Sequence, residues 1–170
     1  MTPQEIAQSY DQLPSHWDGE KFNRKNAIAQ HERALQFSQQ KRHAIDIGCG
    51  SSGRIIELLL AAGFVTEGLD ISPEMLRRAQ IRNPQQVFHL ADICSWEFPQ
   101  KYDFISAWDS IWHAPLENHE AVLTKLCGGL ETDGILFLPR EAWISPENAP
   151  IPFSGSPSIM RCSAFRRPWP

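Results

Sequence analysis

The stretch His43-Ala44-Ile45-Asp46-Ile47-Gly48-Cys49-Gly50-Ser51-Ser52-Gly53 (HAIDIGCGSSG) decides how the rest of the chain is read. Ala44, Ile45 and Ile47 have the length and residue types of a buried parallel strand. Gly48, Gly50 and Gly53 follow, and from Arg54 to Ala62 the pattern turns helical. The stretch therefore reads as a strand, a glycine turn and a helix start. Glycine lets the backbone turn tightly and lets a ligand lie against it with no Cβ between them. The free amides of the helix N-terminus face whatever is bound there.

The spacing Gly48-x-Gly50-x-x-Gly53 also fits a dinucleotide fingerprint, with Asp70 placed as the ribose acid. Asp46 argues for a different ligand. A dehydrogenase fingerprint has an apolar residue two before its first glycine, whereas here a carboxylate ends a buried strand. Burying a charge is costly unless something pairs with it. A ligand ammonium, such as the amino-acid end of S-adenosylmethionine, supplies that pairing directly or through water, and a pyrophosphate is repelled. The plainer alternative is a strand-end Asp that caps the following turn.

At 170 residues the chain makes one domain with a real core. A net charge of −4 gives no general affinity for nucleic acid or anionic lipid. The four cysteines (Cys49, Cys94, Cys127, Cys162) show no CxxC and no metal spacing, so they read as reduced thiols of a cytoplasmic protein. The N-terminus lacks the basic start and apolar core of a signal peptide, and no apolar run is long enough to span a membrane. There is no HExxH, Walker loop or GxSxG, and no metal is expected.

Thr2 to Leu13 reads as a short helix capped by Thr2, with Pro3 at its first position. The PSHWDG loop comes next. Tyr10, His16 and Trp17 are either a lid over the ligand or aromatics that pack this segment onto the body. Asn23 to Gln40 has helical spacing, and His31 reads as an ordinary helix residue. Phe64 to Leu69 is a second strand whose end carries Asp70, at the ligand edge of an open α/β sheet, where an ionised carboxylate can accept both hydroxyls of a ribose. Ser72-Pro73-Glu74 starts the next helix, which stops near Asn83-Pro84. Gln86 to Leu90 is a third strand, followed by Asp92 and Ile93: an acceptor and an apolar wall for an adenine, or an Asp in a turn. Tyr102 to Ala107 is a fourth strand. After it come Trp108, Asp109, Trp112 and His113, the richest polar-aromatic cluster in the chain. His113 is read as a general base, a substrate contact or a cap of the helix from Pro115 to Leu130. Asp133-Gly134 is a turn before a fifth strand, Ile135 to Leu138.

Strands alternating with helices predict a doubly wound, mostly parallel sheet of about five strands with helices on both faces. The pieces AIDIGCGSSGRI, EGLDISPEML, LADI, KYDFISAWDSIWH and LETDGILFL resemble, in kind, order and spacing, the class I S-adenosylmethionine-dependent methyltransferases. The WDSIWHAP form looks like a bacterial small-molecule branch. The resemblance implies a Rossmann-like α/β fold with strand order 3-2-1-4-5 and S-adenosylmethionine as methyl donor. It implies that Asp46, Gly48 and Gly50 surround the methionine part, that Asp70 binds the ribose hydroxyls, that Asp92 and Ile93 meet the adenine, and that Cys49 and Ile71 also belong to the cofactor site. Trp108 and the residues after it then lie beside the methyl and the acceptor. His113 and Asp109 are the candidate catalytic residues, and Tyr10, Trp17 and Trp112 the candidate acceptor or lid contacts. An Asn-Pro-Pro-Tyr loop of the adenine-DNA enzymes is absent, so a small-molecule acceptor is expected rather than nucleic acid.

The family's antiparallel hairpin after the fifth strand is missing from this reading. Seven of the thirteen prolines lie from Pro139 onward, and proline suits neither helix nor central strand. Residues 1–41 are accordingly a helical lid segment, 42–138 the cofactor-binding core and 139–170 an irregular tail. Codons compatible with Arg140 to Ile159, read one frame over, encode a segment similar to the one after the fifth strand in such enzymes. The fifth strand is then an exposed edge, open to a second copy of the chain as a homodimer. Two other functions stand beside methyl transfer: binding of the cofactor without turnover, and nicotinamide-dependent oxidation.

Overall fold

The computed structural model describes residues 3–12, 22–139 and 159–161. Its elements are α1 (Pro3–Asp11), α2 (Ile28–Leu35), β1 (His43–Ile47), α3 (Arg54–Ala61), β2 (Val65–Asp70), α4 (Pro73–Arg82), β3 (Val87–Leu90), β4 (Tyr102–Ser106), α5 (His119–Gly128), β5 (Leu130–Phe137) and β6 (Ile159–Arg161). The sheet runs β3-β2-β1-β4-β5-β6, with the first five strands parallel. This is the Rossmann-like 3-2-1-4-5 order expected from the sequence.

Period-two alternation splits the core between the two faces. Ile45, Ile47, Ile105, Leu136 and Leu138 pack with Val122 and Leu126 of α5. Ala44, Phe104, Ile135 and Phe137 pack with Ala34 and Leu35 of α2 and with Ile55 and Leu59 of α3. Asp46 and Ser106 share the parity of Ala44 and Phe104, and they stand side by side in the β1–β4 register. Both therefore face α2 and α3.

Local chemistry explains most element ends. Ser72 caps α4 by accepting from the Met75 amide at 3.1 Å, and Pro73 occupies its first position. Gly53 enters α3 at φ 67°, a left-handed geometry that favours glycine.

Four expectations need correcting. The helix expected from Pro115 begins only at His119, because the segment before it forms two short 3-10 turns, Ile111–His113 and Leu116–Asn118. The expected Asn23–Gln40 helix shortens to Ile28–Leu35, with Ala27 at φ 68° before it. β5 starts at Leu130, so Asp133-Gly134 lies inside the strand, at a register shift against Tyr102 and Phe104. Finally, the tail is not wholly irregular and the fifth strand is not left bare. β6 pairs antiparallel with β5, Ile135 with Arg161 and Phe137 with Ile159. The edge invoked for a homodimer is thus satisfied within the chain at those positions. The rest of the expected tail, with Cys162, lies outside the described residues, as do His16 and Trp17.

Candidate active site

One cleft opens at the carboxyl ends of β1, β2, β3 and β4, the edge where ligands bind in open α/β sheets. Gly48, Cys49, Gly50, Asp70, Ile71, Asp92, Ile93, Trp108, Asp109, His113 and Tyr10 all line it. Two other expected residues do not. Trp112 lies beside the cleft and is exposed. Asp46 lies behind the cleft lining and is almost wholly buried.

The glycine turn is built for different purposes at different positions. A Cβ on Gly48 would sit 2.2 Å from the Ser110 Cβ, so this glycine lets the β4 loop close against β1. A Cβ on Gly50 would meet nothing within 4 Å, so here the missing side chain leaves open space beside the cleft. Both have positive φ. The Gly50 amide donates to Asp70 Oδ2 at 2.8 Å, and the Ser72 amide donates to Asp70 Oδ1 at 2.9 Å. Asp70 is thereby held at the end of β2 with each oxygen retaining acceptor capacity. Burial pushes its carboxyl up, and the backbone amides of Ser72, Gly50 and Ile71 pull the other way. Asp92 accepts from the Cys94 amide at 2.9 Å, an Asx turn that aims the segment after β3 along the cleft.

α1 closes one side. Asp11 accepts from the Ser72 hydroxyl at 2.6 Å and from the Glu74 amide at 3.3 Å, which docks α1 on the start of α4. Ile6 and Tyr10 are thereby carried into the cleft wall. The Tyr10 hydroxyl lies 2.7 Å from His113 Nε2, and the Trp112 indole N–H donates to the same nitrogen at 3.1 Å. A nitrogen that accepts is unprotonated, so His113 is a neutral imidazole with its proton on Nδ1. Burial lowers its pKa, with Asp109 opposing. Trp108 stacks on Phe137, centroids 5.4 Å apart and planes 15° apart, which fixes its position in the wall.

Arg54 belongs to this cleft although sequence reasoning passed over it. Its Nε donates to the Asn26 carbonyl at 3.2 Å and its Nη1 to the Ser52 hydroxyl at 3.0 Å, with the Phe22 ring 5.0 Å from the guanidinium carbon. Its Nη2 has no hydrogen-bond partner among the described residues. Burial lowers its pKa, opposed by Asp46 and Asp109. Its place in the first helical turn after a glycine turn was the signal that could have marked it. Ser110 also lines the cleft, and its buried hydroxyl has no partner among the described residues.

A methyl donor of the S-adenosylmethionine type fits the residues present. Asp70 suits a diol, Ile71, Ile93 and Met75 suit a flat ring, and the open space at Gly50 suits close approach to the backbone. Arg54 offers a positive charge from the cleft wall, with the Asp46 carboxyl buried behind it. Among the described residues no group of His, Cys, Asp and Glu is arranged to hold a metal ion.

These features define an α/β protein with a small-molecule cleft at the carboxyl edge of a doubly wound sheet. A family model described as a methyltransferase domain matches residues 44–134. The chain belongs to the class I S-adenosylmethionine-dependent methyltransferase family. Trans-aconitate 2-methyltransferase of Rhodopseudomonas palustris (strain BisB5) is 35% identical over 131 residues, which cover 75% of this chain and 46% of that protein. The dTDP-3-amino-3,6-dideoxy-alpha-D-glucopyranose N,N-dimethyltransferase of Streptomyces fradiae is 30% identical over 147 residues, covering 85% of this chain and 55% of the relative. The chain thus spans about half the length of the curated relatives it matches. Among solved structures, SAM-bound CalS10, an amino pentose methyltransferase from Micromonospora echinaspora, superposes with a TM-score of 0.63 at 21% identity, over 79% of this chain and 57% of that one. That likeness carries the fold.

Proposed function

We propose that the protein transfers a methyl group from S-adenosylmethionine to a small-molecule acceptor, releasing S-adenosylhomocysteine, in a bacterial cytoplasm. The observation that carries this reading is the convergence of Asp70, Asp92, Arg54 and the glycine turn on one cleft within the family-matched segment. Relatives named for trans-aconitate and for an amino sugar support a small acceptor. No helix among the described residues is long and apolar enough to cross a membrane, and Cys49 and Cys94 are free thiols.

When bound, the donor supplies a methyl on a sulfonium whose leaving group is a neutral thioether, so no general acid is needed. The protein's work is alignment and water exclusion. Asp70 holds the ribose hydroxyls and Asp92 the adenine amino group, with Ile71 and Ile93 against the ring. Arg54 Nη2 takes the carboxylate of the amino-acid end, and Asp46 answers its ammonium from behind the cleft lining. Ile6 and Tyr10 on α1 shield the reacting atoms. Where the acceptor must lose a proton, His113 Nε2 receives it once the acceptor displaces the Tyr10 hydroxyl, and Asp109 steadies the imidazolium.

Calorimetric titration with S-adenosylhomocysteine and, separately, NAD tests the assignment. Binding of the first alone is expected, and Asp70→Asn should weaken it by about 100-fold, the loss of two charge-assisted hydrogen bonds. Binding of NAD instead overturns it. The alternative is cofactor binding without turnover. Methyl release from labelled donor across carboxylate and amine acceptors separates the two.

A further inference from the structure

Lys125 stands in the last turn of α5, three residues past the core residue Val122, and its side chain is only 17% exposed. Lysine is seldom that buried without partners. Its Nζ donates to the Trp96 carbonyl at 2.8 Å, the Cys94 carbonyl at 3.1 Å and the Ile93 carbonyl at 3.2 Å. An ammonium has three N–H donors, and here one goes to each of three carbonyls in a single turn of chain. The Glu97 carboxylate lies 3.4 Å away but is 85% exposed, and an ion pair at such a rim holds little. Lys125 itself does not line the cleft.

The turn it grips is the one that follows β3. The Asp92 carboxylate accepts from the Cys94 amide at 2.9 Å, and the Asp92 carbonyl accepts from the amides of Ser95 at 3.0 Å and Trp96 at 2.9 Å. One short turn is thereby wound up with Asp92 at its amino end. Its far end presents carbonyls which, like those that end a helix, have to be met from outside. Lys125 meets them. At its near end the segment is tied to β2, the Ala91 amide donating to the Asp70 carbonyl at 3.1 Å. Asp92 and Ile93, which line the cleft, therefore sit between two anchors: a backbone bond to the end of β2 and an ammonium from α5. Ile93, Cys94 and Trp96 also pack on the core face that Val122 and Leu126 share. Apolar contact has no direction, whereas three hydrogen bonds from one point fix the orientation of a turn.

We infer that Lys125 is a positioning residue for the adenine end of the methyl donor: its ammonium, reaching from α5 to three carbonyls of the turn after β3, sets where Asp92 and Ile93 stand in the cleft wall and so how well an adenine is told from other purines. This role rests on the proposed cofactor, and it extends the site to a residue outside the cleft. Asp92 can meet a purine amino group only while its carboxylate is held at hydrogen-bond distance. A drift of about 1 Å loses that bond and leaves apolar contact with Ile93 largely intact. Removing the ammonium frees three carbonyls to take water instead, and the turn follows them. The damage therefore falls on discrimination: affinity for a purine with an amino group drops, and affinity for one without it hardly changes.

The full chain, as wild type and as Lys125→Met, is titrated calorimetrically with S-adenosylhomocysteine and with S-inosylhomocysteine, in which an oxo group replaces the adenine amino group. Wild type should prefer the amino form by about 30-fold, the worth of a charge-assisted hydrogen bond. Lys125→Met should bind S-adenosylhomocysteine about ten-fold more weakly, bind S-inosylhomocysteine within about two-fold of wild type, and so keep a preference of only about three-fold. Glu97→Gln alters the charge beside Nζ but leaves the carbonyl bonds, and it should keep the wild-type preference. If Lys125→Met does not fold, wild type still answers through nitrogen-15 NMR of its lysine side chains. Coupling is reciprocal, so saturation with S-adenosylhomocysteine should slow proton exchange of the Lys125 ammonium. Equal weakening of both nucleosides in Lys125→Met, the mark of a merely structural lysine, overturns the inference, and so does an ammonium whose exchange is unchanged on saturation. A wild type that binds both nucleosides alike also overturns it, by taking Asp92 off the adenine. A wild type that binds neither overturns the proposed cofactor itself, a separate result.

Discussion

Asp103 and Asp46 lie on adjacent strands, are both shielded from solvent, Asp46 the more deeply, and have been treated in opposite ways. Asp103, on β4 near the amino edge of the sheet, accepts from the Arg42 guanidinium at 2.8 and 3.2 Å, from the Arg42 amide at 2.8 Å and from the His43 amide at 3.3 Å. Burial alone would raise its pKa, but these donors carry it below the ordinary carboxylate value. Asp46, at the carboxyl edge, lies deeper in the protein and has only the Ser106 hydroxyl and Arg54 to oppose that burial, and it stays raised. A buried carboxylate ionises when the fold surrounds it with donors and holds its proton when they are missing. One edge of this sheet is closed by its own hydrogen bonds. The other keeps a deficit that a cationic ligand can fill.

The largest effect expected from this contrast is in the pH dependence of stability. Between about pH 4 and pH 6.5 the unfolded chain carries one proton on His31, and the folded pair carries one on Asp46, so the pair contributes almost no slope. Asp46→Asn leaves His31 alone with a folded pKa below its unfolded value. Its neutral form then stabilises the protein above about pH 6.5, and that contribution is lost as pH falls toward about 4. Urea unfolding should show the variant losing about 3 kcal/mol relative to wild type over that window. Equal slopes for the two proteins would break the contrast.

Next in size, Asp103→Asn should cost about 2 kcal/mol at about pH 8, because Arg42 and the two amides lose their charged acceptor. Asp46→Asn at the same pH should cost nothing or stabilise, since it removes a charge that burial penalises. Opposite signs from the same substitution on neighbouring strands are the direct test, again by chemical denaturation. Smaller still, Tyr10→Phe should lower stability by about 1 kcal/mol or less, the net worth of its bond to His113. It should raise the His113 pKa by freeing Nε2 from one donor, which proton NMR of the imidazole can track.

Much of the cleft was readable because its parts are local in the chain. A glycine turn, an acid ending the second strand and an Asx turn after the third each declare themselves within a few residues, and the sheet topology brings their strand ends together. Trp108, Asp109 and His113 were placed by the same rule. The strand end of Asp46 was also readable, but not its place behind the lining, because that depends on how far the Ser110 loop approaches Gly48. Arg54 was missed as a plain helix-surface residue. His31 and Ser106 were missed because each is ordinary alone, separated by 75 positions, and joined only by the β1–β4 register and the packing of α2 over it. The tail's pairing with β5 escaped for a different reason. Three residues among prolines carry too little periodicity to announce a strand, and only an available edge selects them.

By itself, then, the order of residues determined the doubly wound fold, the edge where a ligand sits and the family to which the chain belongs. These depend on short-range patterns of apolar periodicity, glycine conformation and strand-end charge. Tertiary structure alone decided the protonation of the residues in and behind that edge. Whether Asp46, Asp103, His31 or His113 carries a charge depends on donors, acceptors and excluded water brought from distant parts of the chain, and that free energy exists only once they are packed together.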